Sequence, residues 1–166
     1  MRILVFSDSH NSDTNMREVL RRNQTSFDLC IHLGDGCYEF EALGRLYYPI
    51  PFVTVNGNGE DWAGHKRVKE TVLDLDGVRI MVTHGHLYNV KYGTTNLEYN
   101  AVEKECDIVL YGHTHIPDNR CLPDVMGRKL YIFNPGSISR PPIGRKPSFG
   151  VVEITKSGIV LNCAEV

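Results

Sequence analysis

Residues 2–11, Arg2-Ile3-Leu4-Val5-Phe6-Ser7-Asp8-Ser9-His10-Asn11, carry a short apolar run that stops abruptly on a polar loop. The run is β-branched and aromatic without polar alternation, the pattern of a strand buried on both faces. Beyond it, Ser12 or Asp13 can cap a helix through about Asn23, on which Met16, Val19 and Leu20 make an i, i+3, i+4 face. Residues 27–33 read as a second strand stopped by Gly34-Asp35-Gly36. A second helix is predicted over 38–46, and a third strand over 51–55 is stopped by Asn56-Gly57-Asn58-Gly59. Strands alternating with helices at this spacing predict parallel strands joined by crossover helices.

The pattern then changes. Residues 68–75 and 78–82 flank Asp76-Gly77, a two-residue hairpin signal, and His84-Gly85-His86 closes that unit. A helix near 96–105 leads into a strand at 108–111, ended by Gly112-His113-Thr114-His115. The last third reads as antiparallel: 119–125 with 129–133 about Met126-Gly127-Arg128, and 149–154 with 159–163 about Lys156-Ser157-Gly158. Residues 140–147 form a Pro- and Arg-rich loop. No linker, repeat or low-complexity stretch interrupts the pattern, so one mixed α/β domain over 1–166 is expected.

At 42% hydrophobic and 23% charged residues, the 166-residue chain has an ordinary globular balance and enough length for a sizeable core. A net charge of −2 argues against long nucleic acid as a partner. It does not argue against phosphate substrates, because bound cations would supply positive charge. The apolar run at 3–6 is too short for a signal peptide or membrane helix, and no other run reaches spanning length, so a cytoplasmic protein without membrane attachment is expected. The five cysteines are odd in number and scattered, unlike a disulfide framework or a thiolate zinc site; reduced thiols, mostly in the core, are expected.

Polar clusters follow the strands. Asp8 with His10, Asp35, Asn58, His84 with His86, and His113 with His115 each lie just beyond the C-terminal end of a predicted strand. Parallel strands bring such ends to one edge, where ligands bind. Five of the seven histidines sit in these loops, and imidazole is the commonest metal ligand among side chains. Asp-x-His and His-x-His place two ligands on one short loop, and Asp35 between two glycines suits a position shared by two cations. Carboxylate, amide oxygen and imidazole together suit Mn²⁺, Fe²⁺ or Zn²⁺. Taken singly, each cluster is as readily a turn or a helix cap; the case rests on their joint placement at strand ends. His32, inside a strand, is expected to be a hydrogen-bonded core residue, and His65 a solvated loop residue.

The ordered set Asp8-Ser9-His10, Gly34-Asp35, Gly57-Asn58, His84-Gly85-His86 and Gly112-His113-Thr114-His115 resembles the calcineurin-like metallophosphoesterases. Within them the chain is similar to the small bacterial and archaeal YfcE-type phosphodiesterases, a likeness extended by Asn134-Pro135-Gly136-Ser137. The resemblance implies a four-layer αββα sandwich of two mixed β-sheets flanked by helices. It implies two divalent metal ions, chiefly Mn²⁺, with Fe²⁺, Ni²⁺ or Zn²⁺ as alternatives. Asp8, His10, Asp35 and His115 would hold the first; Asp35, Asn58, His84 and His113 would hold the second, with Asp35 bridging. Where many relatives carry His or Cys after the Gly-Asn pair, thought to protonate the leaving group when it is His, this chain has Gly59, followed by Glu60 and Asp61.

The expected activity is hydrolysis of a small phosphodiester, or of a phosphomonoester, by a hydroxide bridging two cations. His86 is the candidate to contact phosphate or aid the leaving group, with a structural role behind the metal ligands as its alternative, and Asn11 to donate a hydrogen bond to phosphate, with capping of the first helix as its alternative. Arg140 and Arg145 either meet phosphate or form a solvated loop face. With Gly59 in place of an acid, esters with good leaving groups are expected to be preferred; equal rates on aryl and alkyl diesters would contradict this. The competing reading is a catalytically weak protein-interaction scaffold of the same fold, as the retromer subunit with this fold resembles. Tyr47-Tyr48-Pro49 and the tyrosines at 88 and 92 are either a homo-oligomer interface or the rim of the site.

Overall fold

The computed structural model describes residues 1–23 and 26–166. Its first strand, β1 (Arg2–Phe6), is buried on both faces as its unbroken apolar run requires. Ile3 and Val5 point into one core with Leu29 and Ile31, while Leu4 and Phe6 point the other way, against Met16, Leu20 and Phe40. The apolar face read from the sequence therefore belongs to α1 (Thr14–Arg22), whose Met16, Val19 and Leu20 are buried. Strand β2 (Leu29–His32), helix α2 (Cys37–Gly44) and strand β3 (Phe52–Thr54) follow. Pairing of β1 with β2 and of β2 with β3 is parallel, as crossover connections demand.

Next come α3 (Asn58–Trp62), the hairpin β4 (Glu70–Leu75) and β5 (Val78–Thr83), a 3-10 turn over His86–Tyr88, and α4 (Thr95–Glu103). The hairpin turns at Asp76 and Gly77, with φ of 50° and 79°, the left-handed pair that a tight two-residue turn needs. Strands β6 (Ile108–Leu110), β7 (Asp118–Val125), β8 (Arg128–Asn134), β9 (Ser148–Thr155) and β10 (Gly158–Glu165) complete the order. One five-stranded sheet runs β10-β9-β1-β2-β3 and the other β4-β5-β6-β8-β7.

Three apolar clusters fix the layering. The first joins Ile3, Val5 and Ile31 of one sheet to Ile80, Val82, Ile108 and Leu110 of the other, so the sheets face each other. The second lies between the first sheet and α1 and α2, and the third sets Leu97 and Ala101 of α4 against Met81, Val109 and Ile132. The architecture is the expected αββα sandwich.

Two readings need correction. The antiparallel last third holds for the hairpins β7–β8 and β9–β10, but β8 also pairs parallel with β6, while β9 pairs with β1 in the other sheet. Hairpin partners are written in local turns; sheet partners distant in sequence are not. Helix α3 was hidden because Asn56-Gly57-Asn58-Gly59 reads as a strand stop, although Glu60 and Asp61 supply first-turn acids.

Candidate metal centre

Every expected ligand lies just past a strand end, and at five of the seven the backbone is left-handed. Asp8, His10, Asp35, His113 and His115 have φ of 56°, 46°, 56°, 69° and 60°, and Asn11 has 65°. Left-handed backbone at a non-glycine residue costs roughly 1–2 kcal/mol, and its concentration in these loops marks a site whose side-chain directions are dictated by something other than local preference. The loops are tied to one another through backbone: Asp8 N donates to Gly34 O at 3.1 Å and His10 N to Asp35 O at 2.8 Å. Gly34 is needed at that crossing, because a Cβ on it would sit 2.5 Å from Gly57 N at a φ of +98°.

The side chains converge. Asp8, His10 and His115 form one group, and Asp8, Asp35 and His84 a second, in each of which the potential ligand atoms lie within 4.8 Å of one another. Asp8 is buried, its Oδ2 accepting from Ser7 Oγ at 2.5 Å and from His113 N at 3.1 Å. Among the described residues its Oδ1 is buried without a hydrogen-bond partner, 3.2 Å from His115 Nε2 and 3.9 Å from both His10 Nε2 and His84 Nε2. Asp35 Oδ1 accepts from Gly59 N at 2.8 Å, leaving Oδ2 facing His84 Nε2 at 3.6 Å.

Hydrogen bonds on the far side of the rings select the tautomers. His84 Nδ1 lies 2.7 Å from Leu33 O and His115 Nδ1 2.7 Å from Arg140 O. A carbonyl can only accept, so those nitrogens carry the proton of a neutral ring and both Nε2 lone pairs turn inward. There they meet more nitrogen: His10 Nε2 is 3.1 Å from His115 Nε2, and His113 Nδ1 is 3.1 Å from His84 Nε2. Burial lowers the basicity of His10, and burial together with His84 pushes His113 down to about 4, so both are neutral near pH 7. Burial opposes ionisation of Asp8, but His115 and His84 beside it hold its carboxyl well below the usual carboxylate range. That Asp8 partner in turn raises His115.

These leftover valences test the metal expectation. Asn58 Oδ1, like Asp8 Oδ1, is buried without a partner, and buried polar atoms are rarely left so. Orphaned carboxylate and amide oxygens beside inward imidazole lone pairs are the donor set of a divalent transition cation. The residues fit.

Further groups brace the ligand loops. Glu60 is buried, and its Oε1 accepts from Gly36 N at 2.6 Å and Cys37 N at 3.0 Å, while Oε2 accepts from Asp35 N at 2.9 Å and Gly57 N at 2.8 Å. Burial opposes its ionisation, yet the four amides win and bring it to about 2. Its carboxylate thereby clamps the Asp35 loop to the Asn58 loop. Sequence reading assigned Glu60 no role, although the spacing of Gly57 and Glu60 across the start of α3 is that of a capping box. Asn134 Nδ2 donates to Gly112 O and Thr114 Oγ1, both at 3.0 Å, and Ser137 Oγ to Asp8 O at 2.8 Å, so the Asn134-Pro135-Gly136-Ser137 segment braces two further loops.

His32 is a hydrogen-bonded core residue, as expected. Gly34 N donates to its Nδ1 at 3.1 Å and its Nε2 lies 3.0 Å from Ser9 Oγ, which donates to Glu39 Oε1 at 2.8 Å. His86 Nε2 is 3.2 Å from Asp61 Oδ2, and its Nδ1 is buried without a partner. Asn11 does not cap α1, whose N-cap is Asp13; its backbone N donates to Glu39 Oε1 at 2.7 Å. His65 is not simply solvated, since its ring packs against Tyr38. Arg140 contributes its carbonyl to His115, Tyr47 packs on the second core, and Tyr88 hydrogen-bonds Glu70, while Tyr48 and Tyr92 are exposed.

Comparison with known proteins identifies the family. Residues 1–157 match the model of the calcineurin-like phosphoesterase superfamily domain. The probable metallophosphoesterase YsnB of Bacillus subtilis is 35% identical over 154 residues, 93% of this chain and 85% of that protein. Phosphodiesterase YfcE of Escherichia coli is 35% identical over 79 residues, 48% of this chain and 36% of its own. A solved Streptococcus pneumoniae structure, of a predicted phosphoesterase, superposes with a TM-score of 0.78 at 30% identity, covering 99% of this chain and 88% of the other. A histidine-rich donor set at strand ends, two facing mixed sheets and a family match over nearly the whole length lead to one statement: the chain belongs to the calcineurin-like phosphoesterase superfamily.

Proposed function

We propose that the chain is a binuclear metal-dependent phosphodiesterase, working as one domain over 1–166 on a small phosphate ester. The observation that carries this reading is Asp8 Oδ1, buried, orphaned and surrounded by three imidazole nitrogens. Asp8, His10, Asp35 and His115 hold one cation; Asp35, Asn58, His84 and His113 hold the other. Asp35 is shared: its Oδ2 faces His84, and its charge acts on His10 as well. Imidazole, amide and carboxylate donors suit Mn²⁺, Fe²⁺ or Zn²⁺, and the family resemblance puts Mn²⁺ first, with Ni²⁺ as a further competitor. When bound, the cations supply hydroxide from water near neutral pH and neutralise charge building on the phosphate oxygens.

The chain's own residues do the rest. The Leu33 and Arg140 carbonyls keep His84 and His115 in the inward tautomer. His86, oriented by Asp61, is assigned the contact to phosphate or leaving group, and Asn11 a hydrogen bond from its side-chain amide to a phosphate oxygen. Gly59 has no side chain to protonate the leaving group, which favours good leaving groups. Five free thiols suit a reducing, cytoplasmic compartment, and no helix among the described residues is long and apolar enough to cross a membrane.

A screen of phosphate diesters, monoesters and nucleotides with Mn²⁺, paired with Asp35→Asn, tests the proposal. Hydrolysis that falls more than about 100-fold in the variant is expected, since even the partners of metal ligands cost 10–100-fold. An Asp35→Asn protein as active as wild type would overturn it.

A further inference from the structure

A cleft of about 320 Å³ opens beside the metal ligands, at the small end of the range that ligand sites occupy. His10 and Asp35 form its inner end, and Gly36 and Gly59 lie along it. A Cβ on Gly36 would meet Ser9 Oγ at 1.7 Å, and one on Gly59 would press on Asp35 Oδ1 at 3.0 Å. That stretch of lining is therefore backbone, and the space above it is kept open.

The outer wall is aromatic. The rings of Tyr38 and His65 meet edge to face with centroids 4.9 Å apart, and the phenol oxygen lies 2.8 and 2.9 Å from the two imidazole nitrogens. On Tyr38 sits the Arg67 guanidinium, 5.0 Å from the ring centroid and paired with Glu41. His65 is pinned through its backbone, its N donating to Glu60 O at 3.1 Å and its O accepting from Asn56 Nδ2 at 2.8 Å. Tyr38 is thus fixed by its neighbours yet 51% exposed. A pre-oriented aromatic surface loses little entropy when a second ring packs on it.

We propose that this cleft is the subsite for a planar aromatic substituent of the phosphate ester, an aryl ring or a nucleobase, with Tyr38 and His65 as specificity-determining residues. The proposal rests on the metal-site reading above: His10 and Asp35, assigned there to the cations, also line this cleft, so a phosphate held at the cations would direct its substituent into it. An alkyl substituent would fill the same space without a ring to match the wall.

Phenylphosphonate and methylphosphonate test this directly, because neither has a leaving group and the acidity of a departing alcohol cannot enter. Binding of each to Mn²⁺-loaded protein is measured by titration calorimetry, with inorganic phosphate as the reference. Wild type is expected to bind phenylphosphonate about tenfold more tightly than methylphosphonate. Tyr38→Ala is expected to bring that ratio close to one, Tyr38→Phe to keep most of it, and His65→Ala to reduce it. Equal affinities in wild type, or a ratio that survives both alanine variants, overturns the aromatic subsite while inorganic phosphate still reports an intact metal centre. Failure of the Mn²⁺-loaded wild type to bind even inorganic phosphate overturns the metal-site reading itself, and the subsite with it.

Discussion

A carboxylate that accepts four amide hydrogens from two loops has a function that neither its charge nor its exposure suggests. Glu60→Gln keeps the shape but offers one acceptor oxygen, and turns an NH₂ group toward amide donors. Loss of two bonds in a buried site predicts destabilisation of roughly 2–4 kcal/mol in thermal unfolding, with weaker Mn²⁺ binding because the Asn58 loop is released. An unchanged melting temperature and metal affinity would show that the clamp is dispensable. The same residue fixes a pH window. With its folded value near 2, below its ordinary 4.5, Glu60 contributes stability that is complete above 4.5 and lost as pH falls through 2, roughly 3 kcal/mol at most. His32 acts higher up. Burial pushes it down to about 4, and the Gly34 N–H aimed at its Nδ1 leaves no room for a second proton. Between 6.5 and 4 the unfolded chain therefore binds protons that the folded chain does not, and stability falls as pH drops through that range. Circular dichroism of the metal-free protein should show acid destabilisation starting near pH 6.5; a flat profile down to pH 4.5 would contradict it.

At the scale of elements, strands end where the ligands begin, and glycine lets the loops meet. Gly34→Ala places a methyl 2.5 Å from Gly57 N in a left-handed residue, so both loops must shift. We expect a cost of at least about 2 kcal/mol by urea unfolding and a marked loss of Mn²⁺ affinity; a neutral substitution would mean the loops are not held as described. The placement of the candidate ligands at strand ends was legible because each is a local event, an apolar run ending on Asp, Asn or His. Helix α1 was legible through Met16, Val19 and Leu20, and the Asp76-Gly77 hairpin through its turn. Contacts between loops were not. Glu60 reaching the Asp35 loop, Asn134 bracing the His113 loop and His65 packing on Tyr38 are each set by how two chain segments cross, which no local spacing records. The parallel pairing of β8 with β6 was hidden for the same reason.

Across the whole molecule, the two sheets supply complementary halves of one centre. Asp8, Asp35 and Asn58 follow β1, β2 and β3 of the first sheet, and His84, His113 and His115 follow β5 and β6 of the second. Cations bound between them would link the layers, so Mn²⁺ should stabilise the fold as a whole. A free concentration 100 times the dissociation constant stabilises by about 2.7 kcal/mol, or about 5–10 °C in melting temperature for a chain of this size, reversible by a chelator. Metal that left the melting temperature unmoved would not be bound across the sheets. The most direct measurement is the metal content of the Mn²⁺-saturated chain by mass spectrometry of the element, taken together with hydrolysis of a generic aryl diester before and after chelation. Two Mn²⁺ per chain, with hydrolysis abolished by the chelator and restored by Mn²⁺, is the predicted result. One ion or none at saturation, or hydrolysis that persists without metal, would contradict a two-metal phosphoesterase.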